Sequence, residues 1–342
     1  MITKVGHIIG YILIFLGISE LVPILVSLAF DENYLILPFS ICSMLTIFIG
    51  MGFYFAFPEK PSRYDITTFL VFSWVLIPVF ASMPFMVSGE LTKFTDAYFE
   101  AASAFTTSGS TLLANSSLAP KTILFWRALL QWLGGIYIFV LAVSIVPLSA
   151  IGGAELFRST LPHGEREGFL SRIKTALKPL SMIYVGLTVL CLILLRFSGM
   201  SFFDAMSTSM ATLSSGGFTN HANFGVNSFS NMSEFILVPF MIIAATNLTY
   251  HWSFFAGRKL RVYQNDREVK YLILLVLIGA LVIFASINGS AGMESASILK
   301  KMGVSIFTAA SAMSTTGFLP DGASLMPLSV VIVCVILLCI GG

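Results

Sequence analysis

Charge is what this chain lacks. Only 11% of its 342 residues are charged, against about 25% in ordinary soluble proteins, and the net charge is +2. Cysteine is scarce as well. Cys42, Cys191, Cys334 and Cys339 are the only four, all in apolar runs and none near a histidine at metal-ligand spacing. The catalytic patterns HExxH and GxSxG are missing, and no pair of aspartates lies inside an apolar run. These shortages exclude a cytosolic enzyme, an intramembrane hydrolase, a nucleic-acid-binding protein and a disulfide-stapled secreted domain. What is present is apolar side chain, at 56% of the sequence and a mean hydropathy of +0.90. One aqueous core cannot hide that much. The expectation is an all-α polytopic membrane protein without enzymatic activity.

A helix needs roughly 20 mostly apolar residues to cross a bilayer. Eight segments qualify, at 5–30, 34–57, 66–88, 122–151, 176–197, 235–255, 271–287 and 325–342. The first is too long for a signal peptide and lacks a cleavage site after it. Basic residues set the orientation. With the N-terminus in the cytoplasm and 89–120, 198–234 and 288–324 returning to the outer side, thirteen of the nineteen Lys and Arg fall inside. The reverse orientation breaks the bias by the same margin.

Those three outer returns share a pattern. Each runs from a short apolar-to-small helical stretch into a Ser/Thr/Gly cluster: FTDAYFEAASAFTTSGST (94–111), FFDAMSTSMATLSSGGFT (202–219) and GVSIFTAASAMSTTGFLP (303–320). Aligned on Gly109, Gly217 and Gly317, the periods are 108 and 100 residues. The preceding spans begin 43, 41 and 46 residues upstream of those glycines. Matched offsets over that length mark an internal repeat of helix, re-entrant half-helix and helix. All copies enter from one side, so the repeats are parallel and are expected around an axis along the membrane normal, unlike inverted-repeat carriers. The half-helices, at 96–105, 204–213 and 304–313, are too short to span. The domain division that follows is a helix pair (1–60), repeat one (61–152), repeat two with its cytoplasmic connection (153–257) and repeat three (258–342).

Irregular backbone at membrane depth is tolerated only where protein buries it or water lines it. Thr106, Thr107, Ser108 and Gly109, then Ser214, Ser215, Gly216 and Gly217, then Ser314, Thr315, Thr316 and Gly317 have to be such backbone. Carbonyl rings replace the hydration shell of a permeating cation, and glycine reaches the required positive φ at least cost. No carboxylate lies within the three clusters, which suits a passing monovalent ion better than a held divalent one. The half-helix C-termini add partial negative charge. Asp96 and Asp204, each thirteen residues before its glycine, are expected as N-caps that do not touch the ion; the third copy has Val304 there. External loops rich in turn residues are the competing reading, and three copies in register weaken it.

At these residues the sequence resembles a known family. FTTSGST, LSSGGFTN and MSTTGF, together with FWRALLQWLGGIYIFVLAV (125–143), look like the TrkH-type subunit of the Trk/Ktr/HKT potassium transporters. The resemblance runs from about residue 5 to the last residue. It implies an extra N-terminal helix pair followed by four repeats around one ion path, with the three clusters as filter quadrants. All three keep the glycine, which implies potassium as the transported ion, with no bound cofactor. It also implies the cell (inner) membrane, a homodimer of pores and a cytosolic nucleotide-binding regulatory subunit. The fourth loop is missing, and Ile340-Gly341-Gly342 falls where relatives place a gate loop. The expectation is therefore an N-terminal portion of a longer protein, which inserts alone but passes no potassium. A sodium-coupled carrier for a small organic solute is the alternative function.

Other polar residues carry weaker signals. Glu20 lies inside the first span and is expected as a hydrogen-bonded packing residue. Arg127 and Gln131 share a helix face and suit a brace to a carboxylate behind the filter. Asn247 and His251 lie one turn apart, the histidine as an interface residue. His221 and Asp321, four residues after their glycines, are candidates for the outer mouth. The glycines give the sharpest test. In the completed protein, Ser at Gly109, Gly217 or Gly317 should lower the preference for potassium over sodium; unchanged rubidium-to-sodium uptake ratios in all three would end the assignment.

Overall fold

The computed structural model describes residues 2–57, 63–113, 118–145, 169–220, 231–246, 251, 267–288, 297–320 and 326–341. All regular structure among them is helical. The chain forms two compact units, Met1–Leu177 and Lys178–Gly342.

The first unit opens with α1 (Ile2–Glu20) and α2 (Val22–Ala29), broken at Leu21. Pro23 opens α2 and cannot donate to the turn before it. A single-turn 3-10 segment, Asn33–Leu35, leads to α3 (Ile36–Ala56). α1 and α3 pack along a seam of glycines. A Cβ added at Gly17 would lie 2.6 Å from the Ile47 side chain, and one at Gly50 would lie 2.8 Å from the Ile14 nitrogen. One at Gly10 would collide with the Tyr54 backbone. Lipid tails are as apolar as leucine, so such helices associate by close backbone approach through small residues. His7 stacks on Tyr54 at one end of the seam, with ring centroids 4.3 Å apart.

Next come α4 (Arg63–Ala81) and α5 (Met83–Val87), with Pro84 at the start of the second piece. α6 (Phe94–Phe105) is the first half-helix and α7 (Lys121–Ile145) the helix after it. The N-terminal pair fastens α7 at its first turn. The Glu32 carboxylate accepts the Lys121 amide at 2.8 Å and the Thr122 amide at 2.9 Å. Both are donors with no partner inside the helix, and a negative charge there favours the helix dipole. Below the cap, fully buried Trp126 donates to the Ala81 carbonyl at 3.1 Å and meets Phe39 edge-on.

α8 (Phe169–Phe197) begins before the second unit, which takes it up at Lys178 and also holds the half-helix α9 (Phe202–Leu213) and α10 (Asn231–Ala245). α11 (Arg267–Asn288), the half-helix α12 (Ile298–Met313) and α13 (Leu328–Gly341) follow. α12 packs against α10, α11 and α13. Its buried face is mostly Ala, Ser and Thr, with Lys301, Val304, Phe307 and Met313 among them. The half-helices end at Phe105, Leu213 and Met313, as the repeat alignment requires, but begin earlier than expected. α12 starts at Ile298 because Ser297 caps it, its hydroxyl accepting the Lys300 amide at 3.3 Å.

Among the described residues, four stretches are long and apolar enough to cross a membrane by length and composition: Gly6–Ala29, Asn33–Ala56, Lys178–Phe197 and Arg267–Asn288. Val71–Val87, Met232–Ala245 and Leu328–Gly341 are shorter apolar helices. The ends of the expected spans 122–151, 235–255 and 325–342 lie outside the described residues, as do His221, Asn247 and Asp321.

The glycine seam sets a prediction. Gly10→Ala should cost about 1–3 kcal/mol by overpacking. Gly52→Ala, whose added Cβ meets nothing within 4 Å, should be neutral or stabilise by up to about 1 kcal/mol. Thermal melts of the two variants in detergent make the comparison, and equal melts would refute the seam.

Candidate ion-filter site

Each half-helix ends in the same backbone figure. Thr107, Ser215 and Thr315 have φ of 56°, 53° and 58°, and Gly109, Gly217 and Gly317, two residues on, have φ of 77°, 69° and 78°. Left-handed backbone at a residue other than glycine costs roughly 1–2 kcal/mol, so a compensating hydrogen-bond pattern is expected. It is present. In repeat one the Thr107 amide donates to the Ala104 carbonyl at 3.0 Å and the Ser108 amide to Ser103 at 2.9 Å. In repeat two Ser215 donates to Thr212 at 3.1 Å and Gly216 to Ala211 at 3.0 Å. These are the paired bonds of a Schellman cap. Repeat three keeps the first, Thr315 to Ala312 at 3.1 Å, and shifts the second to Gly317, which donates to Ser311 at 3.3 Å. The glycine at positive φ was legible in the sequence. The Thr or Ser before it, also left-handed, was not; a hydroxyl residue at this place carries no signal of its backbone.

Glycines also fit the helices around the loops. A Cβ at Gly134 in α7 would collide with the Phe105 carbonyl, and one at Gly341 in α13 with the Met313 carbonyl. Phe105 and Met313 are equivalent last residues of their half-helices. Within the second unit, loops two and three meet directly, and a Cβ at Gly217 would collide with the Thr316 carbonyl. Gly217 is thus required twice, for its φ and for that approach. The entering residues bond back to their helices: Thr106 Oγ1 donates to Ala102 at 2.8 Å and Ser214 Oγ to Met210 at 2.8 Å. Tyr184 of α8, almost wholly buried, hydrogen-bonds the Ser214 side chain.

The chain leaving each loop is tied to its own half-helix by different chemistry. In repeat one, buried Glu100 accepts Thr111 Oγ1 and the Leu112 amide, both at 2.8 Å, and pairs with Arg127 at 3.3 Å. In repeat two, Asn220 Nδ2 donates to Asp204 Oδ1 at 3.0 Å. In repeat three, Ser311 Oγ donates to the Phe318 carbonyl at 2.7 Å.

Comparison with known proteins fits this geometry. A family model described as "Cation transport protein", TrkH, matches residues 38–285. The chain belongs to the TrkH family. It is 33% identical over 290 residues to the Trk system potassium uptake protein TrkH of Halomonas elongata, covering 82% of this chain and 59% of that one. It is 31% identical over 337 residues to the TrkH of Escherichia coli K12, covering 95% and 68%. The crystal structure of the potassium transporter TrkH from Vibrio parahaemolyticus superposes with a TM-score of 0.85 at 30% identity, over 98% of this chain and 69% of that one. The chain thus spans about three fifths of the Halomonas elongata relative. The family is one of membrane cation transport proteins, so the chain is not an enzyme, and nothing supports the organic-solute carrier.

Glu20 is fully buried, its Oε1 accepting Thr46 Oγ1 at 3.5 Å, in keeping with packing. His251 lies buried 2.9 Å from Thr246 Oγ1 and 3.1 Å from the Ile243 carbonyl, at the end of α10. Arg127 does meet a carboxylate, Glu100, a residue the sequence reading did not single out. Glu100 sits nine residues before Gly109, where the other copies have Thr208 and Thr308; its absence from them hid it.

The expected N-caps need correction. Lys93 occupies the N-cap of α6 and makes no side-chain cap, while Asp96 lies inside the first turn and takes only a bond from Thr95 at 3.1 Å. Ser201 caps α9, its hydroxyl accepting the Asp204 amide at 3.1 Å and donating to Asp204 Oδ2 at 2.7 Å. Both aspartates are the third residue of their helix, within its first turn, because the helices start two residues earlier than the apolar pattern suggests. Asp204 has the further task of holding Asn220. Asp204→Ala should therefore cost about 1–2 kcal/mol and Asp96→Ala under about 0.5 kcal/mol. Thermal melts of both in detergent decide; equal losses would return the two to one shared role.

Proposed function

We propose that this chain supplies three filter segments of a potassium-uptake path across the cell membrane, with its N-terminus in the cytoplasm. Thr106–109, Ser214–217 and Ser314–317 would present backbone carbonyls to dehydrated potassium, and the half-helix C-termini would lend partial negative charge. The helix pair at 1–60 and repeats at 61–152, 153–257 and 258–342 are the framework of this reading. A homodimer of pores and a cytosolic nucleotide-binding regulatory subunit belong to the same proposal.

The observation that carries it is the shared dihedral pattern. Three segments 108 and 100 residues apart adopt left-handed φ at the same two places. Neutral oxygens crowd there without a carboxylate in the loops, which favours a weakly held monovalent ion that must also leave. The names of the relatives, potassium uptake proteins in Halomonas elongata and Escherichia coli, point the same way.

The test is complementation. The full gene that contains this coding sequence, expressed in a bacterial host stripped of its potassium-uptake systems, should restore growth at low potassium and rubidium uptake that sodium does not match. Normal membrane expression with no gain in potassium or rubidium uptake would overturn the proposal.

A further inference from the structure

The first exit tether differs from the others in being ionic. Glu100 is 0% exposed and Arg127 1% exposed, and theirs is the one salt bridge among the described residues. Both oxygens of Glu100 are used: Oε1 accepts Thr111 Oγ1 at 2.8 Å and Arg127 Nη1 at 3.3 Å, while Oε2 accepts the Leu112 amide at 2.8 Å. Arg127 Nη1 also donates to Thr111 Oγ1, at 3.1 Å. The residues held are only two and three positions beyond Gly109.

A buried ion pair is poor evidence for stability, because its desolvation offsets most of the attraction and apolar residues pack as well. Its value lies in geometry. Glu100 ties a strained loop to the helix that enters it, and Arg127 ties both to α7. α7 is itself fixed by the Glu32 cap at its first turn and by Trp126 beside Arg127. Left-handed Thr107 persists only if its surroundings over-determine it. The entering end is held by the Schellman bonds and the leaving end by Glu100. Repeats two and three, with Thr208 and Thr308 at this register, spend those hydroxyls or backbones within their own helices; Thr308 Oγ1 donates to Val304 at 2.7 Å. The ionic brace is therefore particular to repeat one.

We propose that the Glu100–Arg127 pair is a positioning device for segment 106–109, and that through this segment it sets the preference for potassium over sodium. The second half rests on the filter reading above. Neither side chain need touch the ion; both act through Thr111 and the Leu112 amide.

The test uses the full protein in lipid nanodiscs and proteoliposomes. Hydrogen exchange read by mass spectrometry in Glu100→Gln should quicken about tenfold or more across 106–113, as expected for loss of a charge-assisted bond. Segments 214–220 and 314–320 should not change. The rubidium-to-sodium flux ratio should fall in the same variant. Should Arg127, left without its partner, prevent folding, the pair Glu100→Gln/Arg127→Gln removes both charges and should show the same two effects. Thr111→Ala should lower the ratio and Thr111→Ser restore it. Unchanged exchange across 106–113 in the double variant would overturn the positioning role. Faster exchange with an unaltered flux ratio would overturn the link to ion preference. Faster exchange in a protein whose unaltered form shows no cation preference would support the positioning and sink the filter reading instead.

Discussion

Backbone that leaves regular structure inside a lipid layer has to find partners for its own amides and carbonyls, because hydrocarbon offers none and each orphan costs several kcal/mol. On the filter reading proposed above, the loops at 106–109, 214–217 and 314–317 live under that constraint, and much of the surrounding structure answers it. Their amides turn back onto the last turn of the preceding half-helix. Thr106, Ser214 and Ser314 spend their hydroxyls on the same turn. Side chains further along, Glu100, Asp204 and Ser311, take charge of the chain as it departs. Most of the loop amides are thereby bonded to the half-helix before them.

Close packing is the second consequence. A half-helix that ends in mid-membrane must be surrounded by protein, and its neighbours come near only where they lack a side chain. Gly134 and Gly341 give that access to the final carbonyls of α6 and α12. Gly217 gives it to the Thr316 carbonyl, between two loops of one unit. The N-terminal pair uses the same device for another end. Its glycine seam makes α1 and α3 one rigid body, and Glu32 at its tip holds the start of α7. A helix pair outside the repeats therefore bears on the first loop through a cap, a helix and an ion pair.

The repeats share a backbone and not a set of side chains. Positive φ recurs at the same two positions three times, whereas the exit tether is a carboxylate with an arginine, a carboxylate with an amide, and a hydroxyl. On the proposed filter reading, backbone geometry is what an ion meets, so it alone has to match. How the geometry is held is free to vary from copy to copy, and it does.

That contrast separates what the sequence by itself determined from what only the tertiary structure decided. Apolar run lengths, the scarcity of charge and the period of the Ser/Thr/Gly clusters determined the helices, the three half-helices with their C-terminal ends, and the glycines that must have positive φ. These are local or periodic signals, set by chain stiffness and by the cost of burying polar groups. The half-helix starts were misjudged by two to six residues, since Ser201 and Ser297 as caps lie outside the apolar pattern. Glu100 was invisible because its partners are 11, 12 and 27 residues away. The left-handed Thr107, Ser215 and Thr315 were equally hidden, as a hydroxyl residue takes that conformation only when its neighbours in space compel it. Tertiary structure alone brings those neighbours into place.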